Sequence, residues 1–199
     1  MDFNLSKEHL MAQRLFRDFA VHEVEPWAEQ TDEEGRFPFE IVQKMQKLGF
    51  LGIPFPKSVG GQGCDTLTYI LAVEELSKAC ATTGVILSAH TSLAADAIFL
   101  NGSEEQKEQF LRPLLEGKKL GSFALTEAEA GTDAAGQQTK VTADGDEWVI
   151  NGSKIFITNG EVADTYVVFA MTDKSAGTRG ISAFIIEKGV PGFTFGPTE

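Results

Sequence analysis

The chain has 199 residues, 42% of them hydrophobic and 23% charged, with a formal net charge of −12 and a sequence pI near 4.7. That length holds one large domain or two small ones with real cores. The acidic balance excludes nucleic acid as a partner, since no basic stripe is available to neutralise phosphates.

A pocket for a small phosphorylated ligand stays open, because backbone N–H groups can supply its donors. The N-terminus reads Met1-Asp-Phe-Asn-Leu5, which is neither a signal peptide nor an Arg-rich transit peptide. No apolar stretch approaches the ~18 residues of a membrane span, so no membrane association is expected. Cys64 and Cys80 have neither metal-ligand spacing nor the look of a disulfide framework, and a reducing cytoplasm is the expected location.

From Met11 the apolar residues fall in two rows four apart: Met11, Leu15, Phe19 and Ala12, Phe16, Ala20, Val24. This predicts a helix with Ser6 as N-cap, closed or kinked at Pro26. Pro38 opens a second helix, with Ile41, Val42, Met45 and Leu48 on its buried side and Gly49 ending it. Gly49 to Gly63 reads as a structured loop. Thr66 to Cys80 is helical, with Tyr69, Ile70, Val73 and Leu76 recurring every three or four residues. Thr82 to Leu100 is nearly apolar throughout and predicts a helix buried on most sides. Ser103 and Gln106 form a capping-box pattern for one more helix, which Gly117 ends.

After Leu120 the period changes to that of strands. Val141-Thr-Ala143 before Asp144-Gly145, and Trp148-Val-Ile150 before Asn151-Gly152, read as strand and turn. Lys154 to Thr158, Tyr166 to Met171 and Ile181 to Ile186 read as three further strands. The fold class is α+β: an N-terminal helical bundle over 1–120, then an antiparallel β barrel or sandwich over 121–199. The absence of βαβ alternation excludes the doubly wound dinucleotide fold.

Two stretches carry chemistry. Phe123-Ala-Leu-Thr-Glu-Ala-Glu-Ala-Gly-Thr-Asp133 begins as a strand and ends in a small-residue turn, which exposes N–H groups and a hydroxyl to a phosphate oxygen. Thr132 or Asp133 capping an ordinary turn explains it equally. In Asn151-Gly-Ser-Lys-Ile-Phe-Ile-Thr-Asn159, a strand would put Phe156 and Thr158 on one face, suited to a flat heterocycle or to plain core packing. Lys174, Thr178 and Arg179 lie on a turn that can be merely solvated. His90 reads as a buried core histidine, and His9 and His22 as surface residues. No trio of His, Asp and Glu has metal-site spacing, and no metal is expected.

Together the two stretches resemble the acyl-CoA dehydrogenase family, and the resemblance covers the whole chain. The Gly52-Ile-Pro54 loop, Glu74-Glu-Leu76, Ser103-Glu-Glu-Gln-Lys107 and Pro113-Leu114 sit in the family's order. Ser88-Ala-His-Thr-Ser92 and Gly131-Thr-Asp-Ala-Ala-Gly-Gln-Gln-Thr139 look similar to the short-chain, butyryl-CoA branch. The resemblance implies FAD as cofactor, contacted by Phe123, Leu125, Thr126, Thr132, Phe156, Ile157 and Thr158. It also implies acyl-CoA as substrate, contacted by Thr132 and Thr178. Phe156 stands where the family has Trp, which keeps a flat surface and loses an N–H donor. Ala128 and Glu129 stand where Pro and a small residue or Asn are usual, so Glu129 is expected to face solvent.

The resemblance further implies α,β-dehydrogenation of a short-chain acyl-CoA, electron transfer to an electron-transferring flavoprotein, and a homo-oligomer, tetrameric in the family. The family's catalytic glutamate belongs to a C-terminal helical domain, and no matching segment occurs here. The chain is therefore expected to be an inactive fragment. The alternatives are a non-catalytic flavin- or CoA-binding remnant, an enoyl-CoA reductase or an acyl-CoA oxidase.

Overall fold

The computed structural model describes residues 4–198. The chain divides into two compact units, one ending at Lys119 and the other beginning at Leu120.

The first unit is helical. Ser6 caps α1 (Lys7–Phe19) by accepting the His9 N–H. A π-helical turn, Ala20–Val24, joins α1 to α2 (Glu25–Glu33), where Pro26 sits in the first turn. Pro26 thus does not close the helix, because its missing N–H falls where the register is already broken. Phe16, Phe19, Ala20 and Val24 are buried, while Met11 and Leu15 are exposed. α3 (Phe39–Lys47) buries Ile41, Val42 and Met45, but Leu48, expected inside, is 61% exposed. Gly49 stops α3 with φ +77, a conformation that costs a glycine nothing.

Asp65 caps α4 (Thr66–Ala79), and its carboxylate also meets His9 Nε2 at 2.8 Å. His9 is accordingly half-buried, not the free surface residue expected, whereas His22 is exposed. α4 buries Tyr69, Leu71, Ala72, Glu75 and Leu76, and leaves Ile70 outside. α5 (Ala81–Ser88), a π-helical turn (Ala89–Ala95) and α6 (Asp96–Asn101) form one continuous helix. Contrary to the sequence expectation, Ala81–Asn101 is long and apolar enough to cross a membrane, but more than half of it is buried inside the unit, as in a core helix. The Ser103–Gln106 capping box is formed, and it opens α7 (Glu104–Gln106), which runs through a π-helical turn into α8 (Arg112–Leu115). Gly117 follows at φ +70.

The second unit is a five-stranded sheet: β1 (Gly121–Ala124), β2 (Lys140–Asp144), β3 (Glu147–Asn151), β4 (Thr165–Met171) and β5 (Ile181–Glu187). The pairing is mixed, not purely antiparallel. β2–β3 and β4–β5 are antiparallel hairpins, while β1 pairs β4 in parallel with Gly121 opposite Thr165. β2 meets β4 in parallel at Lys140 and Met171. Ala124, Ala163, Tyr166 and Val168 form a core, with Ile157, Ile186 and Phe193 packed against it.

Lys154 to Thr158, expected as a strand, is irregular backbone. Phe156 has φ +55 and Asn159 φ +63, and a left-handed residue in mid-segment breaks the extended pleat.

Candidate functional site

The residues singled out above lie on the second unit, where β1 runs out into the Leu125–Thr139 segment. β1 ends at Ala124, held in place by parallel pairing to Val168. The Glu127 and Ala130 backbones then bond each other, N–H to carbonyl both ways at 3.1 Å, and close a tight turn. Gly131, Thr132 and Asp133 follow it exposed, with open space around Gly131. Glu129 faces solvent, as expected.

The irregular 154–159 segment is laid along this run by hydrogen bonds. The Ile155 N–H donates to the Thr126 carbonyl at 2.9 Å. Ser122 Oγ donates to the Thr158 carbonyl at 2.7 Å, and Asn159 Nδ2 to the Gly121 carbonyl at 3.2 Å. Phe123, Leu125, Thr126, Ile157 and Thr158 are thereby brought into one neighbourhood. Phe123 also stacks on Phe169, ring centroids 4.8 Å apart, and Ile157 packs on the core, so each has a structural role. Thr178 lies on the β4–β5 connection, where its carbonyl accepts the Ile181 N–H. Among the described residues, no hydrogen bond joins Thr132 or Thr178 to the other candidate residues.

Three properties describe this surface. The hydroxyls of Thr126, Thr132 and Thr158 take no partner among the described residues. Phe156 is 72% exposed and has no ring partner there. Its left-handed backbone costs on the order of 1–2 kcal/mol for such a side chain. The strained, exposed ring of Phe156 thus offers a flat apolar surface close in sequence to the free Thr158 hydroxyl.

Sequence reasoning did not foresee the ion pair that ties these two segments together. Glu127 and Lys154 form an ion pair of 2.8 Å, with each side chain only 8% exposed. Burial would raise the Glu127 carboxyl, but hydrogen bonds from Lys154 and from the Thr139 and Gln138 N–H groups outweigh it and hold the pKa at about 2. Burial pushes the Lys154 ammonium below its ordinary value, partly offset by Glu127. The available signal was a lysine set in the otherwise apolar Ile155–Ile157 neighbourhood. In the first unit, His90 is fully buried, and burial lowers its pKa to about 4 against hydrogen bonds with the Leu114 and Leu51 backbones. It is a core residue.

The fold, a helical unit followed by a mixed sheet unit, is one shared with acyl-CoA dehydrogenases. The acyl-CoA dehydrogenase N-terminal domain matches residues 6–118 and the middle domain of the same family residues 122–199; the chain belongs to the acyl-CoA dehydrogenase family. It is 59% identical over its whole length to a short-chain-specific acyl-CoA dehydrogenase of Clostridium acetobutylicum, covering 52% of that protein.

Among solved structures, butyryl-CoA dehydrogenase from Megasphaera elsdenii matches with a TM-score of 0.95 and 50% identity, over all of this chain and 53% of the other. A chain from work on the electron transferring flavoprotein of Acidaminococcus fermentans matches at 0.97 and 53%, again over all of this chain and 52% of that one. A glutaryl-CoA dehydrogenase of Mycobacterium smegmatis in complex with FADH2 matches at 0.88 and 34%, over 96% of this chain and 48% of its own. The chain spans about half the length of the relatives it matches.

Proposed function

We propose that these residues supply the flavin-facing and part of the acyl-CoA-facing surface of an FAD-dependent short-chain acyl-CoA dehydrogenase. The observation that carries this is the neighbourhood of Thr126 and Thr158, with free hydroxyls, beside the strained, exposed ring of Phe156. The donor set fits a ring system bearing heteroatoms and a diphosphate. Thr126, Thr132 and Thr158 offer hydroxyls, the exposed 131–133 turn offers backbone N–H groups, and Phe156, Ile157, Leu125 and Phe123 offer apolar surface. When bound, FAD supplies a hydride acceptor for the β carbon of the acyl group.

The α C–H of a thioester is only weakly acidic, so hydrogen bonds to the thioester carbonyl must stabilise the developing enolate-like charge while a carboxylate takes the α proton. Glu127 is not that base: its carboxylate already accepts from Lys154, Gln138 and Thr139 and stays ionised down to about pH 2, far below a useful proton acceptor. In this reading the base lies outside these 199 residues. Thr132 and Thr178 contact the acyl-CoA, and the electrons pass on to an electron-transferring flavoprotein. The exposed Met11, Leu15, Leu93 and Leu100 side chains favour a homo-oligomer, and the two free thiols suit a cytoplasmic location.

Titrating the purified protein with FAD, and following the flavin spectrum on adding butyryl-CoA without oxygen, tests this. Stoichiometric flavin binding, with no turnover by the 199 residues alone, is expected. Failure to bind flavin would remove the reading, and turnover with a dye acceptor would remove the assignment of the base.

A further inference from the structure

Glu127 and Lys154 lie outside the residues given to the flavin above, yet they are built into both segments that carry those residues. Lys154 Nζ donates to the Leu125 carbonyl at 2.9 Å, to Glu127 Oε1 at 2.8 Å and to Gln137 Oε1 at 3.1 Å, which uses all three of its N–H bonds. Glu127 also accepts the Gln138 N–H at 2.5 Å and the Thr139 N–H at 3.0 Å. The pair therefore joins the exit of β1, the entry to β2 and the 154–159 segment at one buried point. Immediately beyond Lys154, the Ile155 N–H makes the bond to the Thr126 carbonyl.

A buried ion pair gains little stability over an apolar pair of equal volume, because both ions are desolvated. What it adds is direction. An ammonium with three acceptors and a carboxylate with three donors fit one arrangement of the surrounding backbone.

We propose that Glu127 and Lys154 are positioning residues that set the spacing of Leu125–Thr126 against Ile157–Thr158, and so hold the Thr126 and Thr158 hydroxyls in register for the flavin. This rests on the flavin-binding reading above.

The test compares the unaltered protein with the double variant Glu127→Gln/Lys154→Met. That variant leaves no unpaired buried charge, and its glutamine can still accept the Thr139 N–H, so its thermal midpoint should stay close to the original. FAD affinity is expected to fall about tenfold or more, and the visible circular dichroism of bound flavin to change. Lys154→Arg, which keeps the charge but shifts its donors, is the second variant, expected to lose about threefold with the same spectral change. Amide exchange on the flavin-free proteins should show protection lost at Gln138 and Ile155 and kept in β4.

A folded double variant that binds FAD as tightly as the unaltered protein, with the same dichroism, would overturn the inference while leaving the flavin reading intact. Unchanged affinity and dichroism in Lys154→Arg would overturn it too, should the double variant not fold. An unaltered protein that binds no FAD removes both readings, and the titration of that protein alone tells this case from the others.

Discussion

Arg17 of α1 and Glu75 of α4 are joined by a two-pronged ion pair, Nε to Oε2 and Nη2 to Oε1, each 3.0 Å. Glu75 is 2% exposed at its side chain and also accepts from Gln13 and Lys78. One buried carboxylate thus holds three donor residues drawn from two helices.

The Arg17 hydrogen bonds, outweighing burial and helped by Lys78, hold the Glu75 pKa at about 2 against an ordinary 4.5. A folded-state pKa below the unfolded one gives stability that is complete above about pH 4.5 and lost as pH falls through about 2. Since Arg17 and Lys78 are each 53% exposed, water screens the pair. Glu75→Gln should therefore cost about 1–2 kcal/mol at pH 7. Urea unfolding of both proteins at pH 7, 4 and 2.5 reads this. The gap should shrink steadily with acid, and a gap independent of pH would show that the charge of Glu75 is not what matters.

His90 sets a second acid transition, at higher pH. Burial lowers its pKa to about 4 from 6.5, so the unfolded chain takes up a proton before the folded one does. The sign follows: stability is full above about pH 6.5 and falls between 6.5 and 4. At 1.36 kcal/mol per pKa unit the loss is on the order of 3 kcal/mol. Replacing His90 by Gln should flatten this part of the stability profile. A profile unchanged by the substitution would mean that other groups carry the loss.

Much of this architecture is legible in the sequence, and the failures have physical causes. Ser6, Asp144-Gly145 and the Ser103–Gln106 box mark element ends, because a cap or a turn is a local contract between residues three or four apart. The inner helix faces were less legible. Periodicity says that Met11, Leu15, Leu48 and Ile70 are apolar and in row, but not whether a partner covers that row within the unit. The parallel pairing of Gly121 with Thr165 joins residues far apart in sequence, which no local pattern encodes. Ile155 to Thr158 has the composition of a strand, and only the left-handed Phe156 shows why it is none. The neighbourhood of Thr126 and Thr158 was anticipated from motif order, whereas the Glu127–Lys154 pair beneath them was not.

Gly180 gives a prediction for the loop that carries Thr178. Its carbonyl accepts from the Thr172 N–H and hydroxyl, and an added Cβ would stand 1.8 Å from the Asp173 carbonyl oxygen. Backbone, not a flexible side chain, would have to give way. Gly180→Ala should destabilise the second unit by about 2 kcal/mol or more. In the same variant the β4–β5 amides should lose exchange protection first. A thermal midpoint equal to that of the original protein would refute the close packing of this turn.

Phe156 is where stability and the proposed function pull apart. Its ring is 72% exposed, so little apolar burial is lost on replacing it, and its φ of +55 is a conformation that asparagine tolerates better than phenylalanine. Phe156→Asn should therefore raise the unfolding free energy of the flavin-free protein by about 0.5–1 kcal/mol. It should also weaken FAD binding, because the flat surface beside Thr158 is gone. Chemical denaturation without flavin and fluorescence titration with it measure the two effects on one sample. If the variant is less stable and binds FAD as before, the exposed ring serves the fold and not the cofactor, because its packing would then outweigh the strain of its left-handed backbone.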